Sequence, residues 1–116
     1  MAHSLLLVED EAIVAMDLKL QLEDEGFTVM GPAPTVGAAL ALLDEGLPDF
    51  AILDVNLNGA TSQKIAERLQ SEGTGFLYLS GYSGTAILED LPQARLVQKP
   101  VSFPVLLKAI REGLPV

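Results

Sequence analysis

The sequence predicts an α/β fold built on a five-stranded parallel sheet with helices on both faces. Short apolar segments alternate with helical segments five times along the 116 residues. This alternation is the pattern of right-handed strand–helix–strand units. The apolar segments are nearly continuous runs, as expected for strands that are covered on both faces. Five strands in a doubly wound sheet suit the spatial order 2-1-3-4-5, which places the first and third strands side by side at the switch point.

The strands are predicted from apolar runs that end at polar or turn-forming residues. The central run begins after Pro48-Asp49 and leads directly into Asp54. The second run is expected to stop at Met30, because the prolines that follow it cannot donate a ladder hydrogen bond. The predicted strands are Ser4 to Val8, Phe27 to Met30, Phe50 to Leu53, Phe76 to Leu79 and Leu96 to Gln98.

The later helices are predicted from caps and from apolar spacing. Thr35 can cap a second helix that runs to Glu45, Asn58-Gly59 turns the chain into a third helix over Ser62 to Ser71, and Ser102 opens the last. Between Tyr82 and Ala94 the stretch from Ala86 to Glu89 looks helical, but Pro92 limits any helix to a short one. The residues expected to face inward are Ile65 and Leu69 on the third helix and Phe103, Leu106, Leu107, Ile110 and Leu114 on the last.

The first helix, expected over Ala12 to Glu25 and stopped by Gly26, has an unusual apolar pattern. Its apolar residues from Val14 to Leu22 alternate as they would in a strand, so on a helix they spread around more than one face. We therefore expect some of them to be exposed unless a partner covers them. Our hypothesis is that Val14, Leu18 and Leu22 form a docking or self-association surface, and that changing Leu18 and Leu22 to Ser weakens it while preserving the fold.

Composition excludes several classes of function. The absence of cysteine removes disulfides, thiolate chemistry and cysteine-bound zinc, and the single His3 cannot by itself form a metal site or a triad. No apolar run is long enough for a membrane span and no signal peptide is recognisable, so we expect a soluble, cytoplasmic protein. The net charge of −9 repels nucleic acid and anionic membranes, so neither is an expected direct partner.

Chemically active side chains follow four of the five predicted strands. Because parallel strands end at the same edge of a sheet, we expect these side chains to converge. Three adjacent acids predict a nearby cation, and converging carboxylates suit Mg²⁺. The groups, in chain order, are Glu9-Asp10-Glu11, Asp54, Ser80-Gly81 and Lys99.

This set of residues is suited to phosphoryl transfer. Asp54 can act as a nucleophile that forms an acyl phosphate, while Lys99 neutralises the charge of the transferring group. Ser80 can donate a hydrogen bond to a phosphoryl oxygen, and Gly81 leaves room for the phosphoryl donor. Taken singly, each residue has a simpler interpretation: Asp54 caps a loop or helix, Lys99 is a surface cation, and Ser80 ends a strand.

Over essentially its whole length the chain resembles the receiver domain of bacterial two-component response regulators, which has a flavodoxin-like doubly wound (βα)5 fold. The resemblance implies that Asp54 accepts a phosphoryl group from a sensor histidine kinase or a histidine phosphotransfer protein. It also implies that Asp10 and Asp54 bind Mg²⁺ directly, Glu9 largely through water and Asn56 through its backbone carbonyl. A cis bond before Pro100 is implied as well. The motifs that carry the resemblance are Leu7-Val8-Glu9-Asp10-Glu11, Ile52-Leu53-Asp54-Val55-Asn56-Leu57, Leu79-Ser80-Gly81 and Lys99-Pro100.

The chain departs from the receiver pattern at several positions. Asn58 stands where receivers usually have Pro, which is expected to loosen the loop after the phosphoacceptor. Leu96 replaces the Tyr or Phe whose inward swing accompanies phosphorylation. Tyr82 is a candidate substitute for that ring, or a shield that slows phosphoryl loss. Lys99 lies only 19 positions after Ser80, so the fourth helix is expected to be short. A smaller group of receivers, with Gly and Tyr after the fourth strand and no aromatic on the fifth, is similar in outline.

We expect residues 1–116 to form a single-domain receiver without an output domain, because Leu114-Pro115-Val116 follows the last helix directly. Such a protein is a phosphoacceptor that catalyses its own phosphorylation and dephosphorylation, and it signals to a downstream protein, with a homodimer left open. A phosphorylation-independent interaction module is the main alternative. An aspartyl phosphatase is disfavoured because Asn56 stands where a second carboxylate is commonly needed. A flavin-binding protein is disfavoured because no phosphate-binding loop follows the first strand.

Overall fold

The computed structural model describes residues 2–81 and 90–115 of the chain. Tyr82, and the helical segment expected around residues 86–89, lie outside the described residues. The strands β1 to β7 are Ser4–Val8, Thr28–Ala33, Phe50–Asp54, Asn56–Leu57, Ala60–Thr61, Gly75–Ser80 and Arg95–Gln98. The helices α1 to α4 are Ala12–Asp24, Val36–Glu45, Gln63–Ser71 and Phe103–Gly113.

Five strands form one parallel sheet in the order β2-β1-β3-β6-β7, and β4 and β5 form a separate two-stranded hairpin. With the hairpin left out of the count, this is the order 2-1-3-4-5, so the predicted fold class is confirmed. The register is regular around β3, which pairs with β1 from Leu5 opposite Phe50 and with β6 from Phe50 opposite Gly75. The carboxyl ends of β1, β3, β6 and β7 therefore lie at one edge of the sheet.

The central strands β1, β3 and β6 are buried on both faces because they are apolar at successive positions. Since alternate side chains of a strand point to opposite faces, β1 contributes Leu6 and Val8 to one core cluster and Leu5 and Leu7 to the other. The first cluster packs under α2 and α3, and the second under α1 and α4. Every residue of β3 is buried, including its last residue, Asp54.

Strand β2 is longer than the sequence predicts, and the expected stop at Met30 is wrong. The strand continues through Pro32 to Ala33, with a shift of register between the pairs that β1 makes at Leu6 and at Val8. Proline is tolerated here because β2 is an edge strand with β1 as its one neighbour in the sheet. The extension matters for the site, because Ala33 accepts a hydrogen bond from the backbone N–H of Glu9 at 3.0 Å.

Helix α1 buries the residues that the docking hypothesis placed on the surface. Leu18 is 3% exposed and Leu22 is fully buried, and both belong to the core cluster under α1 and α4. That hypothesis is wrong for these two residues, because positions four apart share one helix face and this face lies on the sheet. The exposed apolar side chains of α1 are instead Ile13 (87% exposed), Met16 and Leu20 (57% exposed).

The other helices follow the predicted caps and faces closely. Thr35 caps α2 and its side chain accepts a hydrogen bond from the N–H of Ala38 at 3.1 Å. Ile65 and Leu69 of α3 are fully buried, as predicted. Leu106 and Ile110 of α4 are buried, while Phe103, Leu107 and Leu114, which directly follows the helix, are partly buried against the same cluster. Among the described residues, no helix has the length and apolar character that crossing a membrane requires.

Candidate functional site

Three acidic side chains meet at the carboxyl edge of the sheet. Glu9 follows β1 and is 1% exposed, Asp54 ends β3 and is 5% exposed, and Asp10 is half-buried beside them. One carboxylate oxygen from each residue lies within 4.8 Å of the other two. The convergence predicted from strand order is confirmed.

Lys99, at the end of β7, supplies the cation predicted beside the acids. Its Nζ lies 2.8 Å from Glu9 Oε1, 2.9 Å from Asp54 Oδ2 and 3.3 Å from Glu11 Oε1. Burial alone would lower the pKa of Lys99, but the hydrogen bonds from its ammonium group to Glu9 and Asp54 outweigh that effect and raise the pKa above its ordinary value. The lysine is therefore a fixed positive charge at the centre of the acids.

The buried position of Glu9 is unfavourable for negative charge. Burial and the neighbouring Asp54 raise the pKa of Glu9 to about 8, although Lys99 acts in the opposite direction. Glu9 and Asp54 of the cluster, together with Glu11 beside it, share one ammonium group within 3.3 Å. A second cation would relieve the remaining excess of negative charge, and ligand deprotonation accompanies metal binding.

Ser80 and Gly81 complete the predicted edge. Ser80 is buried at the end of β6, and its carbonyl accepts the backbone N–H of Lys99 at 2.8 Å, which ties β7 to β6 at the site. Gly81 follows on the surface. A cavity of about 430 Å³ opens between these elements. Its lining includes Asp10, Asp54, Asn56, Ser80, Gly81 and Lys99.

The remaining predicted site residues lie at the margin of this cavity or away from it. The bond between Lys99 and Pro100 is cis, as the resemblance implied. Leu96 is 40% exposed on β7, opposite Tyr78 of β6, and carries no ring. Tyr82 lies outside the described residues, so its role as a substitute aromatic stays a prediction.

Sequence reasoning missed the structure around Asn58. The residues after Asp54 form the β4–β5 hairpin, where a loosened loop was expected, and its two turn residues Asn58 and Gly59 have φ values of 52° and 90°. Two positive φ angles define the mirror-image turn that Asn-Gly favours. The backbone N–H of Asn58 donates to Asp10 Oδ2 at 3.1 Å. The signal was the dipeptide itself, which is the strongest short hairpin signature.

Sequence reasoning also missed the buried phenol of Tyr78. Its hydroxyl donates to the carbonyl of Pro92 at 2.6 Å, and burial raises the pKa of Tyr78 to about 12. This bond joins β6, two residues before Ser80, to the segment that leads into β7. The apolar pattern of a strand does not show whether the hydroxyl of a tyrosine within it has a hydrogen-bond partner.

The donor set at the edge of the sheet fits a hard divalent cation. The three carboxylates offer oxygen atoms alone, which Mg²⁺ prefers, and the described chain has no cysteine or second histidine to favour a softer metal. The side-chain oxygen of Asn56 accepts the N–H of Gly59 at 3.0 Å, so that group is engaged within the turn. The acidic cluster could therefore hold Mg²⁺, while Lys99 offsets the negative charge of Glu9 and Asp54 from the other side of these carboxylates.

The chain is an α/β protein with a doubly wound sheet, a class whose members bind their ligands at the carboxyl edge of the sheet. The acidic cluster and Lys99 lie at that edge. The family model described as the response regulator receiver domain matches residues 5–111. The chain therefore belongs to the receiver domain family of response regulators, the proteins of two-component signalling. Members of this family bind Mg²⁺ at an acidic site and interact with kinases or other proteins.

Individual relatives agree with the family assignment. The chain is 29% identical over 109 residues to the transcriptional regulatory protein PdtaR of Mycobacterium tuberculosis, covering 90% of this chain and 53% of that protein. It is 27% identical over 120 residues to the chemotaxis protein CheY of Bacillus subtilis, covering 98% and 99% of the two chains. The solution structure of SdrG from Sphingomonas melonis Fr1 is similar, with 35% identity, a TM-score of 0.81 and coverage of 95% and 94%. The chain spans about half the length of PdtaR.

Proposed function

We propose that this chain is a phosphoacceptor in a two-component or phosphorelay pathway, with Asp54 as the residue that carries the phosphoryl group. The observation that supports this most strongly is the position of the Asp54 carboxylate. One of its oxygens accepts a hydrogen bond from Lys99 at 2.9 Å, and its carboxylate lies within 4.8 Å of the carboxylate oxygens of Glu9 and Asp10. A nucleophile so placed has a fixed cation on one side and a candidate metal site on the other.

The proposed reaction is a phosphoryl exchange between nitrogen and oxygen. An Asp54 oxygen attacks the phosphorus of a phosphohistidine on a kinase or phosphotransfer protein, the P–N bond breaks, and the imidazole nitrogen leaves. Mg²⁺, when bound, neutralises charge on the transferring oxygens. The Lys99 ammonium group donates to the new phosphoryl oxygens instead of to the free carboxylate. Water later attacks phosphorus and restores the Asp54 carboxylate with release of inorganic phosphate.

Ser80, Gly81 and Lys99 would then communicate the phosphorylated state. A phosphoryl group adds close to two negative charges and three acceptor oxygens. Because Lys99 holds Glu9, Glu11 and Asp54 together, drawing its ammonium group onto the phosphoryl oxygens releases at least the exposed Glu11. This rearrangement at the edge of the sheet is the change that a downstream protein would recognise.

We also propose a revised docking surface for the phosphodonor. A groove of about 780 Å³ runs along α1, and its lining includes Ile13, Val14 and Leu18 together with Lys99 and Pro100. Because the groove is continuous with the lysine that contacts Asp54, a protein bound in it can present its phosphohistidine to the site. Ile13 is the exposed apolar side chain at this position, and so it replaces Leu18 and Leu22 in the docking hypothesis.

Two variants of α1 test this surface. Ile13→Ser should slow transfer from a histidine phosphodonor protein and leave phosphorylation by acetyl phosphate unchanged, since the small donor needs no docking. Leu20→Ser is the matched control, because Leu20 is exposed on the same helix but does not line the groove. Equal protein-dependent rates for the two variants would remove Ile13 from the interface.

The alternative function is a protein-interaction module that works without phosphorylation. The observation that favours it is Leu96, which is exposed on β7 and lacks the ring that accompanies switching in similar receivers. Intact mass after incubation with acetyl phosphate, with and without Mg²⁺, separates the two. A Mg²⁺-dependent gain of one phosphoryl group that is lost in Asp54→Ala supports the phosphoacceptor. No gain, even with a cognate kinase, supports the module.

A further inference from the structure

Glu11 is the exposed member of the three carboxylates that contact Lys99. Its side chain is 63% exposed, whereas that of Glu9 is fully buried and that of Asp54 is 7% exposed. Its Oε1 atom nevertheless lies 3.3 Å from Nζ of Lys99. Glu11 and Lys99 both line the cavity at the edge of the sheet and the groove along α1. The Glu11 carboxylate therefore lies at the mouth of the site, where the cavity meets the groove.

The start of α1 fixes the backbone of Glu11 without using its carboxylate. Glu11 is the N-cap residue of this helix, and its carbonyl accepts the N–H of Ala15 at 2.9 Å. Its side chain makes no cap hydrogen bond. The charged group is therefore held near the cavity by the helix and bonds to Lys99 instead of to the helix end.

We propose that Glu11 is a specificity-determining residue for the phosphodonor, and that it favours donors with a P–N bond over anionic acyl phosphates. The inference rests on the proposed function, because it concerns the donor that phosphorylates Asp54. It goes beyond that function by assigning the choice of donor to a side chain that neither carries the phosphoryl group nor belongs to the candidate metal cluster of Glu9, Asp10 and Asp54.

The two classes of donor differ in the charge of the group that leaves. With a P–N donor such as phosphoramidate, an Asp54 oxygen bonds to phosphorus, the electron pair of the P–N bond goes to the protonated nitrogen, and neutral ammonia leaves. With acetyl phosphate, the electron pair of the P–O bond goes to oxygen, and acetate leaves as an anion. The attacking and leaving atoms are roughly in line, so the leaving group departs on the side of phosphorus away from Asp54.

The carboxylate of Glu11 acts differently on these two leaving groups. It repels the negative charge that develops on acetate, and this repulsion is greater in the transition state than in the free donor. It attracts a protonated nitrogen and can accept a hydrogen bond from it. A phosphohistidine protein bound in the groove along α1 also lies against Glu11, because Glu11 lines that groove.

Phosphorylation rates with two small donors test the proposal, measured by intact mass over time in the presence of Mg²⁺. Glu11→Gln removes the charge at an exposed position and keeps the size of the side chain. It should raise the rate with acetyl phosphate about fivefold, the effect of one nearby charge at a solvated site, and should leave the rate with phosphoramidate equal or lower. The difference should shrink in about 0.5 M salt, because exposed charges are screened.

Glu23→Gln is the matched control. Glu23 is an exposed acid near the other end of α1, so this variant changes the net charge by the same amount but leaves the mouth of the site as it is. Its ratio of the two rates should stay within about twofold of wild type, because an exposed charge more than a Debye length away is largely screened.

The outcomes separate the role of Glu11 from the proposed function. If wild type gains no phosphoryl group from either donor, the proposed function fails and the role of Glu11 fails with it. If wild type is phosphorylated and Glu11→Gln has the same ratio of rates, only the role of Glu11 is overturned. An equal change of that ratio in Glu23→Gln would also overturn it, since net charge alone would then explain the effect.

Discussion

The Nζ of Lys99 lies 2.9 Å from Oδ2 of Asp54, and this contact joins the end of β7 to the end of β3 across the edge of the sheet. The same ammonium group reaches Glu9 at 2.8 Å. One side chain therefore offsets part of the negative charge at this edge, and its removal leaves two buried acidic groups together. The contact links the stability of the free protein to the chemistry proposed for Asp54.

Removing the lysine charge should destabilise the fold and impair phosphorylation. Lys99→Met leaves Glu9 and Asp54 without their shared cation, and breaking such a buried pair costs about 3 kcal/mol. Lys99→Arg keeps the charge and is the control. Urea unfolding gives the stability, and intact mass after acetyl phosphate treatment gives the phosphorylation. A Lys99→Met protein as stable and as reactive as Lys99→Arg would show that the contact has neither role.

Substitution by Ser should destabilise the protein at Leu18 and have little effect at Leu20. Leu18→Ser creates a cavity and buries a hydroxyl in the core, so the free energy of unfolding should fall by about 3 kcal/mol or more. Leu20→Ser changes an exposed position and should stay within about 0.5 kcal/mol of wild type. Urea denaturation measures both changes in the free energy of unfolding, with the same dependence on urea concentration expected for each variant. A tolerated Leu18→Ser would return that residue to the surface, as the helix pattern first suggested.

Stability should fall at alkaline pH in part through Tyr78. Its pKa is raised to about 12 by burial, so the fold favours the neutral phenol. For a group whose pKa is raised on folding, the stabilising effect is complete below the unfolded pKa of about 10 and is lost as pH rises through the folded value. Tyr78→Phe should flatten the loss of stability between about pH 10 and 12. Parallel pH profiles for the two proteins would exclude the phenol as the cause.

The wild type and Tyr78→Phe should also differ in stability at neutral pH. Tyr78→Phe removes the hydrogen bond to Pro92 and leaves that carbonyl without its partner, which should cost about 1 kcal/mol. The comparison is made by urea unfolding at pH 7, where the phenol is neutral in both the folded and unfolded states.

The caps of α2 and α4 make unequal contributions. The Thr35 side chain accepts a hydrogen bond from Ala38, so Thr35→Ala should lower the free energy of unfolding by about 1 kcal/mol. Ser102 precedes α4 but makes no side-chain cap bond, so Ser102→Ala should have a smaller effect. Thermal and urea unfolding compare the two proteins. Equal losses of stability in the two variants would mean that the side-chain hydrogen bond of Thr35 does not add to the stability of the protein.

The order of the sheet and the acid cluster could be predicted because both follow from local patterns with strict geometric consequences. Apolar runs broken by helical segments leave few arrangements for a parallel sheet, and this topology brings Glu9, Asp54 and Lys99 to one edge. The cap at Thr35 could be predicted from its residue type and its place before a helical segment. The burial of Ile65 and Leu69 could be predicted from their helical spacing.

The errors arose where tertiary context determines a local choice. Pro32 would end a central strand but is tolerated in β2, because the predicted order 2-1-3-4-5 itself places that strand at an edge of the sheet. The alternation in α1 gave no single apolar face, so packing on the sheet decided which residues are buried. The bond from Asn58 to Asp10 joins two distant loops and has no counterpart in any local pattern.

Reductive trapping tests the central claim most directly. The chain is incubated with acetyl phosphate and Mg²⁺, treated with borohydride, which converts an aspartyl phosphate to homoserine, and mapped by peptide mass spectrometry. The account predicts homoserine at position 54 alone, dependent on both the donor and Mg²⁺. Conversion at Asp10 instead of Asp54, or a stable phosphoryl group on Ser80 with Asp54 unmodified, would contradict it.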